Sequence, residues 1–182
     1  MRPPRLKLKC AIGLLLAFAA LSPAPEASAA SLTSDSRAAL RQLIAQNSAA
    51  SKVSKNALAV LVFPNVMKAG FIVGAQGGDG VLFVRGKPAG RYRTAAASYG
   101  LQAGVQKYGY ALFFMNQKAV DWVNEAKGWS LGSGPTLVVV DKGVARTISS
   151  ETLHSGIYAF TFDQKGLMAG LGVQGSKITR ID

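Results

Sequence analysis

Gly70-Phe71-Ile72-Val73-Gly74-Ala75-Gln76-Gly77-Gly78-Asp79-Gly80-Val81-Leu82-Phe83-Val84-Arg85 is the stretch on which the fold turns. Gly70–Gln76 and Val81–Arg85 are short apolar segments, and Gly77-Gly78-Asp79-Gly80 between them reads as a hairpin turn. The same texture starts at Leu58. Leu58–Phe63 stops at the turn signal Pro64-Asn65. Further strands are expected over Arg91–Ala97, Leu101–Tyr108, Tyr110–Met115, Thr136–Val140, Ile157–Phe162, Leu167–Val173 and Lys177–Ile181. Gly70–Gly74, Gly100–Gly104 and Gly166–Gly170 echo one another. On a strand, each would set two glycines on one face, where they permit coiling or close approach.

Working outward, Ser31–Ala57 reads as helical, loosened over Asn47–Ser51. Leu40, Leu43 and Ile44 recur at helical spacing, opposite Arg37 and Arg41. A second helix is expected over Gln117–Ala126, capped by Asn116, with Ala119, Trp122, Val123 and Ala126 on its apolar face. The expected fold is α+β: a single domain with a strongly curved, mostly antiparallel, barrel-like sheet. An N-terminal amphipathic helix and one further helix near 117–126 cover it.

The chain has 182 residues, 49% hydrophobic and 16% charged, which excludes disorder and fits one domain. One cysteine and one histidine exclude a disulfide framework and a Cys/His zinc site, so neither metal nor cofactor is expected. Arg2, Arg5, Lys7 and Lys9 precede the apolar run Ala11–Leu21, and Ala27-Ser28-Ala29 follows. Basic region, short apolar run and small-residue site describe a cleaved signal peptide over 1–29, leaving a helical segment over 30–57 and a glycine-rich β-dominated domain over 58–182. Cys10 precedes the apolar run and leaves with the leader. The net charge of +12 thereby falls to +9, from 17 basic and 8 acidic residues. An exported protein of the periplasm or cell envelope, peripheral to the membrane, is expected.

Gly170-Leu171-Gly172-Val173-Gln174-Gly175 matches a dinucleotide fingerprint, but too few residues follow it to build the helix that such a site needs. His154 with Ser150 or Ser155, and Asp141 or Asp163, lacks a nucleophile-elbow context. The reading is therefore not an enzyme and without a small-molecule substrate. The basic residues are more informative. Arg85, Lys87, Arg91 and Arg93 flank the turn Gly86–Gly90, with no acid between Asp79 and Asp121, and make a candidate anion patch. No nucleic-acid motif accompanies them, so anionic lipid headgroups are the expected partner. Arg37 and Arg41 on the first helix, and a loop near Trp129, are candidate membrane contacts.

Three stretches together resemble the SYLF family of lipid-binding domains. They are Val62-Phe63-Pro64-Asn65-Val66-Met67-Lys68-Ala69-Gly70-Phe71 running on to Val81; Tyr99–Gln106 with Phe113–Ala119; and Tyr158-Ala159-Phe160 through Lys165–Gly170 to Lys177. The resemblance implies a non-enzymatic membrane-binding domain that, in eukaryotic relatives, takes phosphoinositide headgroups and, in some fungal ones, actin filaments. It adds Lys68, inside the shared motif, to the headgroup candidates Arg85, Lys87, Arg91 and Arg93. Relatives often carry Gly-Pro-x-Gly-Arg where this chain reads Asp141-Lys142-Gly143-Val144-Ala145-Arg146. The alternative is a structural or protein-interaction module with an envelope protein partner. A transmembrane β-barrel fits poorly with Arg91, Arg93 and the helix at 117–126.

Overall fold

The computed structural model describes residues 25–70, 73–99, 104–125, 129–130, 135–140, 155–166 and 176–182. The leader's apolar run, the fingerprint at 170–175, His154, the expected strand Leu167–Val173 and the turn at 141–146 lie outside them. The elements follow as α1 (Pro25–Gln46), α2 (Ser48–Ser54), β1 (Ala59–Gly70), β2 (Val73–Val84), β3 (Lys87–Tyr99), β4 (Gly104–Phe114), α3 (Gln117–Glu125), β5 (Trp129–Ser130), β6 (Leu137–Val139), β7 (Ile157–Gly166) and β8 (Lys177–Arg180). The strands form one sheet in the order β5-β8-β3-β2-β1-β4-β7-β6. Its neighbours are antiparallel except for the parallel pair β6–β7. The sheet curls into a half-barrel, making an α+β single domain as the sequence led us to expect.

Several boundaries differ, each for an identifiable reason. Pro64-Asn65 does not end a strand but forms a bulge inside β1. From Val62 to Met67, β1 takes five steps while its partner β2 takes four. Against β4, the three steps from Phe63 to Val66 face two. Proline lacks the N–H that a regular ladder needs and is accommodated where the ladder is broken. Gly77-Gly78-Asp79-Gly80 is likewise no turn, because β2 runs straight through it. A Cβ on Gly78 would strike the Asn65 carbonyl, and one on Gly80 the Val62 carbonyl. These two glycines make room for the bulge next door. Gly109, read as a break between two strands, lies inside β4 because the Phe162 ring packs where its Cβ would be. The tight turn lies at Arg85 (φ 49°) and Gly86 (φ 78°), two left-handed residues that suit a two-residue hairpin, so the turn expected over Gly86–Gly90 is shorter and starts one residue earlier, with Lys87–Gly90 already in β3.

The bulge also sets which way side chains point. Strand residues alternate faces, so one extra residue exchanges the two faces beyond it. Leu61 and Phe63 point into the curl with Leu82, Tyr92, Tyr108, Tyr110, Leu112 and Phe114, where α3 closes the cluster with Ala119, Val120 and Val123. Phe63 stacks on Tyr110 at 4.7 Å between ring centres. Trp122, expected on that apolar face, is 37% exposed, and Val120 takes the buried place instead. The outer face carries Val62, Val81, Phe83, Ala111, Phe113 and Phe160 beneath Leu32, Ala39, Leu40 and Leu43 of α1. Phe113 and Phe160 meet edge to face at 5.3 Å. The first helical segment thus packs its apolar stripe on the sheet. It divides at Asn47, whose side chain caps α2 by accepting from the Ala50 N–H (3.0 Å). Its start at Pro25 carries α1 through Ala27-Ser28-Ala29, five residues ahead of the expected segment boundary at 30.

Candidate functional site

Past the bulge, Met67 and Ala69 face outward while Lys68 faces inward. Gln76 of β2 and Gln106 of β4 lie directly opposite Lys68 on its two sides, so all three share the inner face. The outward set is read from the same register. Met67 lies between Gly77 and Lys107, and Ala69 between Ala75 and Val105. Gly77 is opposite Ala95 and Ala75 opposite Ala97 on β3. None of the contacts of α1 in the outer core reaches this half of the face. Met67, Val73 and Val105 are 58%, 64% and 56% exposed, the highest values among the large apolar side chains described.

Lysines edge this apolar area. Lys107 lies directly opposite Lys165 across β4–β7, and Lys177 opposite Ala95 across β3–β8. All three are exposed, and none forms an ion pair among the described residues. Like charges placed opposite one another on a sheet repel and cost stability. The arrangement is relieved when an anion lies across both, so the outer half of the sheet pairs an apolar surface with an anion-attracting edge.

The residues chosen from the sequence do not assemble into one patch. Lys68 is 7% exposed, about 30 Å along β1 from the Arg85–Lys87 hairpin at strand spacing. Arg93 and Asp79, opposite each other on β3 and β2, form a two-point ion pair (Nε–Oδ1 2.7 Å, Nη2–Oδ2 2.9 Å). Arg91 lies against Asp182 (3.7 Å), which also holds Arg180 (3.0 Å). Partial burial pushes the Asp182 carboxyl up, yet the Arg91 N–H and the Arg180 guanidinium hold it below its usual range. Arg37 donates to the Gly86 carbonyl (3.2 Å) and lies over the Phe83 ring at 5.0 Å. Arg37, exposed Arg85 and exposed Lys87 therefore form a second cationic corner at the hairpin end, with Arg41 exposed one turn further along α1. Trp129 is in β5, paired with Ile178 at one edge of the sheet. Sequence reasoning missed Met67, Val73, Val105, Lys107, Lys165 and Lys177. Alternation around Met67-Lys68-Ala69 and Val105-Gln106-Lys107 was legible, but which face looked outward depended on the unseen bulge.

Around Lys68 the inner face is polar and buried. Tyr108 donates to Gln76 Oε1 (3.0 Å), and Gln76 Nε2 donates to Ser176 Oγ (2.8 Å). Gln106 is 4% exposed, and its Oε1 has no hydrogen-bond partner among the described residues. Burial pushes the Tyr108 phenol up to about 12 and the fully enclosed Tyr110 phenol further still. A phenol whose folded value lies above its unfolded value of 10 leaves stability intact below pH 10 and removes it as pH rises from 10 towards 12. Alkaline denaturation should therefore begin above pH 10, with phenolate absorbance appearing together with loss of structure. In Tyr108→Phe the fall in stability above pH 10 should be shallower; an unchanged slope would show that Tyr108 takes no part.

The curled sheet thus carries an apolar, lysine-edged outer half and a buried polar inner face. Among the described residues no group of His, Cys, Asp and Glu is placed to hold a metal. Residues 95–182 match the family model Ysc84, described as "Las17-binding protein actin regulator". The match covers a little under half of the chain and supports its likeness to this family, the SYLF family of binding and adaptor domains. Similar proteins include "SH3 domain-containing YSC84-like protein 1" of Bos taurus and Homo sapiens, each 31% identical over 124 residues and 64% of this chain. The protein of that name from Xenopus laevis is 30% identical over 127 residues, or 65% of this chain. The matches cover 36%, 35% and 36% of the three relatives, so the chain spans little more than a third of their length.

Proposed function

We propose that this domain binds anionic membrane surfaces without catalysis, seating the uncovered outer half of its sheet on the bilayer. The observation that carries this reading is the pairing of exposed Met67, Val73 and Val105 with the edge of Lys107, Lys165 and Lys177. Apolar side chains enter the interface while the lysines meet phosphates, each contributing about 1 kcal/mol near an anionic surface. The hairpin corner of Arg37, Arg85 and Lys87, with Arg41 beside it, is a second, weaker electrostatic contact at the other end of the strands. Attachment is peripheral, in keeping with the finding that no helix among the described residues is long and apolar enough to cross a membrane. The basic, apolar, small-residue leader supports export to the envelope in the same reading. The family description favours a protein partner as the second reading, with the same outer face as its surface.

Co-sedimentation with phosphatidylglycerol and phosphatidylcholine vesicles tests the choice. Binding should require the anionic lipid and weaken with salt. Met67→Ser with Val105→Ser should weaken it tenfold or more, since burying each side chain even partly contributes about 1 kcal/mol. Both positions are exposed, so the fold should be unaffected. Equal binding to neutral vesicles, or no effect of the double variant, would reject the reading and leave the protein partner.

A further inference from the structure

The buried polar row on the inner face has no part in seating the outer face on a membrane. Gln76, Lys68 and Gln106 stand side by side on three adjacent strands, with neighbours about 4.8 Å apart. Beyond them, at the open end of the strands, the next cross-strand set is Gly74, Gly70 and Gly104. Gly104 is exposed, and a Cβ on it would meet nothing within 4 Å among the described residues, so these leave the approach to the row along its strand clear. Deeper in, Tyr108, Thr94 and Tyr110 close the floor. Within the row, the hydrogen-bonding groups are unevenly satisfied. Gln76 has both its amide atoms engaged, and Ser176 accepts from it while keeping its own O–H to give. Gln106 Oε1 is buried and has no hydrogen-bond partner among the described residues, an arrangement that costs about 1–3 kcal/mol where it is left unmet.

We propose that this row is a binding site for a small soluble oxyanion that carries a neighbouring hydroxyl. The oxyanion accepts from the Lys68 ammonium and the Ser176 hydroxyl, and the ligand hydroxyl donates to Gln106 Oε1. One strand spacing separates Lys68 from Gln106, which suits an anionic group and a hydroxyl on adjacent carbons, as in a 2-hydroxycarboxylate or a phosphorylated polyol. That the ligand is soluble rests on the membrane reading, because the row faces away from the surface seated on the bilayer. The site itself does not rest on that reading.

Calorimetric titration of the full chain in the absence of lipid tests the site with paired probes: lactate against propionate, and glycerol 3-phosphate against inorganic phosphate. The hydroxyl-bearing member of at least one pair should bind saturably and at least tenfold more tightly than its partner. Lys68→Met should abolish that binding. Gln106→Leu should weaken it about tenfold while leaving the melting temperature equal or higher, because it removes an unmet buried acceptor. A merely structural glutamine would lower the melting temperature and leave affinity alone. Met67→Ser with Val105→Ser should bind the probe unchanged, so loss of the membrane reading and loss of this one are separable. No saturable binding by any probe, equal affinity within both pairs, or a Gln106→Leu variant that binds normally would overturn the proposal. Displacement of the bound probe by phosphatidylglycerol vesicles would overturn its assignment as a soluble ligand.

Discussion

Gly80→Ala is expected to destabilise the protein by about 3 kcal/mol or more, at the upper end of what an added methyl costs in a packed interior. The new Cβ would strike the Val62 carbonyl and lie 2.6 Å from the Phe63 ring. Neither neighbour can retreat easily. Val62 is paired with Val81 on one side and Ala111 on the other, and Phe63 is fully buried against Tyr110. For a domain of this length the melting temperature should fall by roughly 6–12 °C. Gly77→Ala, three residues away in the same strand, is the control. Its Cβ would meet only the Thr94 carbonyl, at an ordinary 3.6 Å, so a change within about 0.5 kcal/mol is expected. Thermal melts of the two variants measure the difference. Equal melting temperatures would mean that the bulge does not press on β2 as described.

Lys107→Glu with Lys165→Glu should lower vesicle affinity by two to three orders of magnitude at low salt. Removing two lysines near an anionic surface loses about 2 kcal/mol, and reversing them adds repulsion of similar size. The fold should survive, because two opposed lysines repel each other as two opposed glutamates do. Arg91→Ala with Arg93→Ala, the change that the sequence alone would have selected, should matter far less. Both arginines already face carboxylates, Asp182 and Asp79. Sedimentation of both double variants side by side compares the two surfaces. Greater loss in the arginine variant would return the site to β3.

The class of fold was legible because apolar segments punctuated by glycine are a strong strand signal, and Asn116 marks a helix start by local chemistry. At Asn47 the sequence showed a loosening of the helix, not the cap that starts α2. Strand length was not legible. Glycines within β2 and β4 and the Pro64-Asn65 pair look like turns to a local reading, yet each answers to a neighbouring strand that the local sequence does not contain. The charge arithmetic failed for the same reason. Asp182 is 91 residues from Arg91 along the chain, and no window reveals that they meet. Lys68 was found through its motif, whereas its burial between Gln76 and Gln106 needed the register of three strands.

The irregularity in β1 carries one more consequence. It acts as a frame shift for everything that follows on the strand. Deleting one residue between Phe63 and Val66 would restore strict alternation and keep Met67 outside and Lys68 inside, because β1 would then match both partner strands step for step. Deleting two residues would transpose them, sending the thioether into the curl and the ammonium out to solvent. The chemistry of two opposite surfaces is thus governed by the odd or even length of a single short span that touches neither.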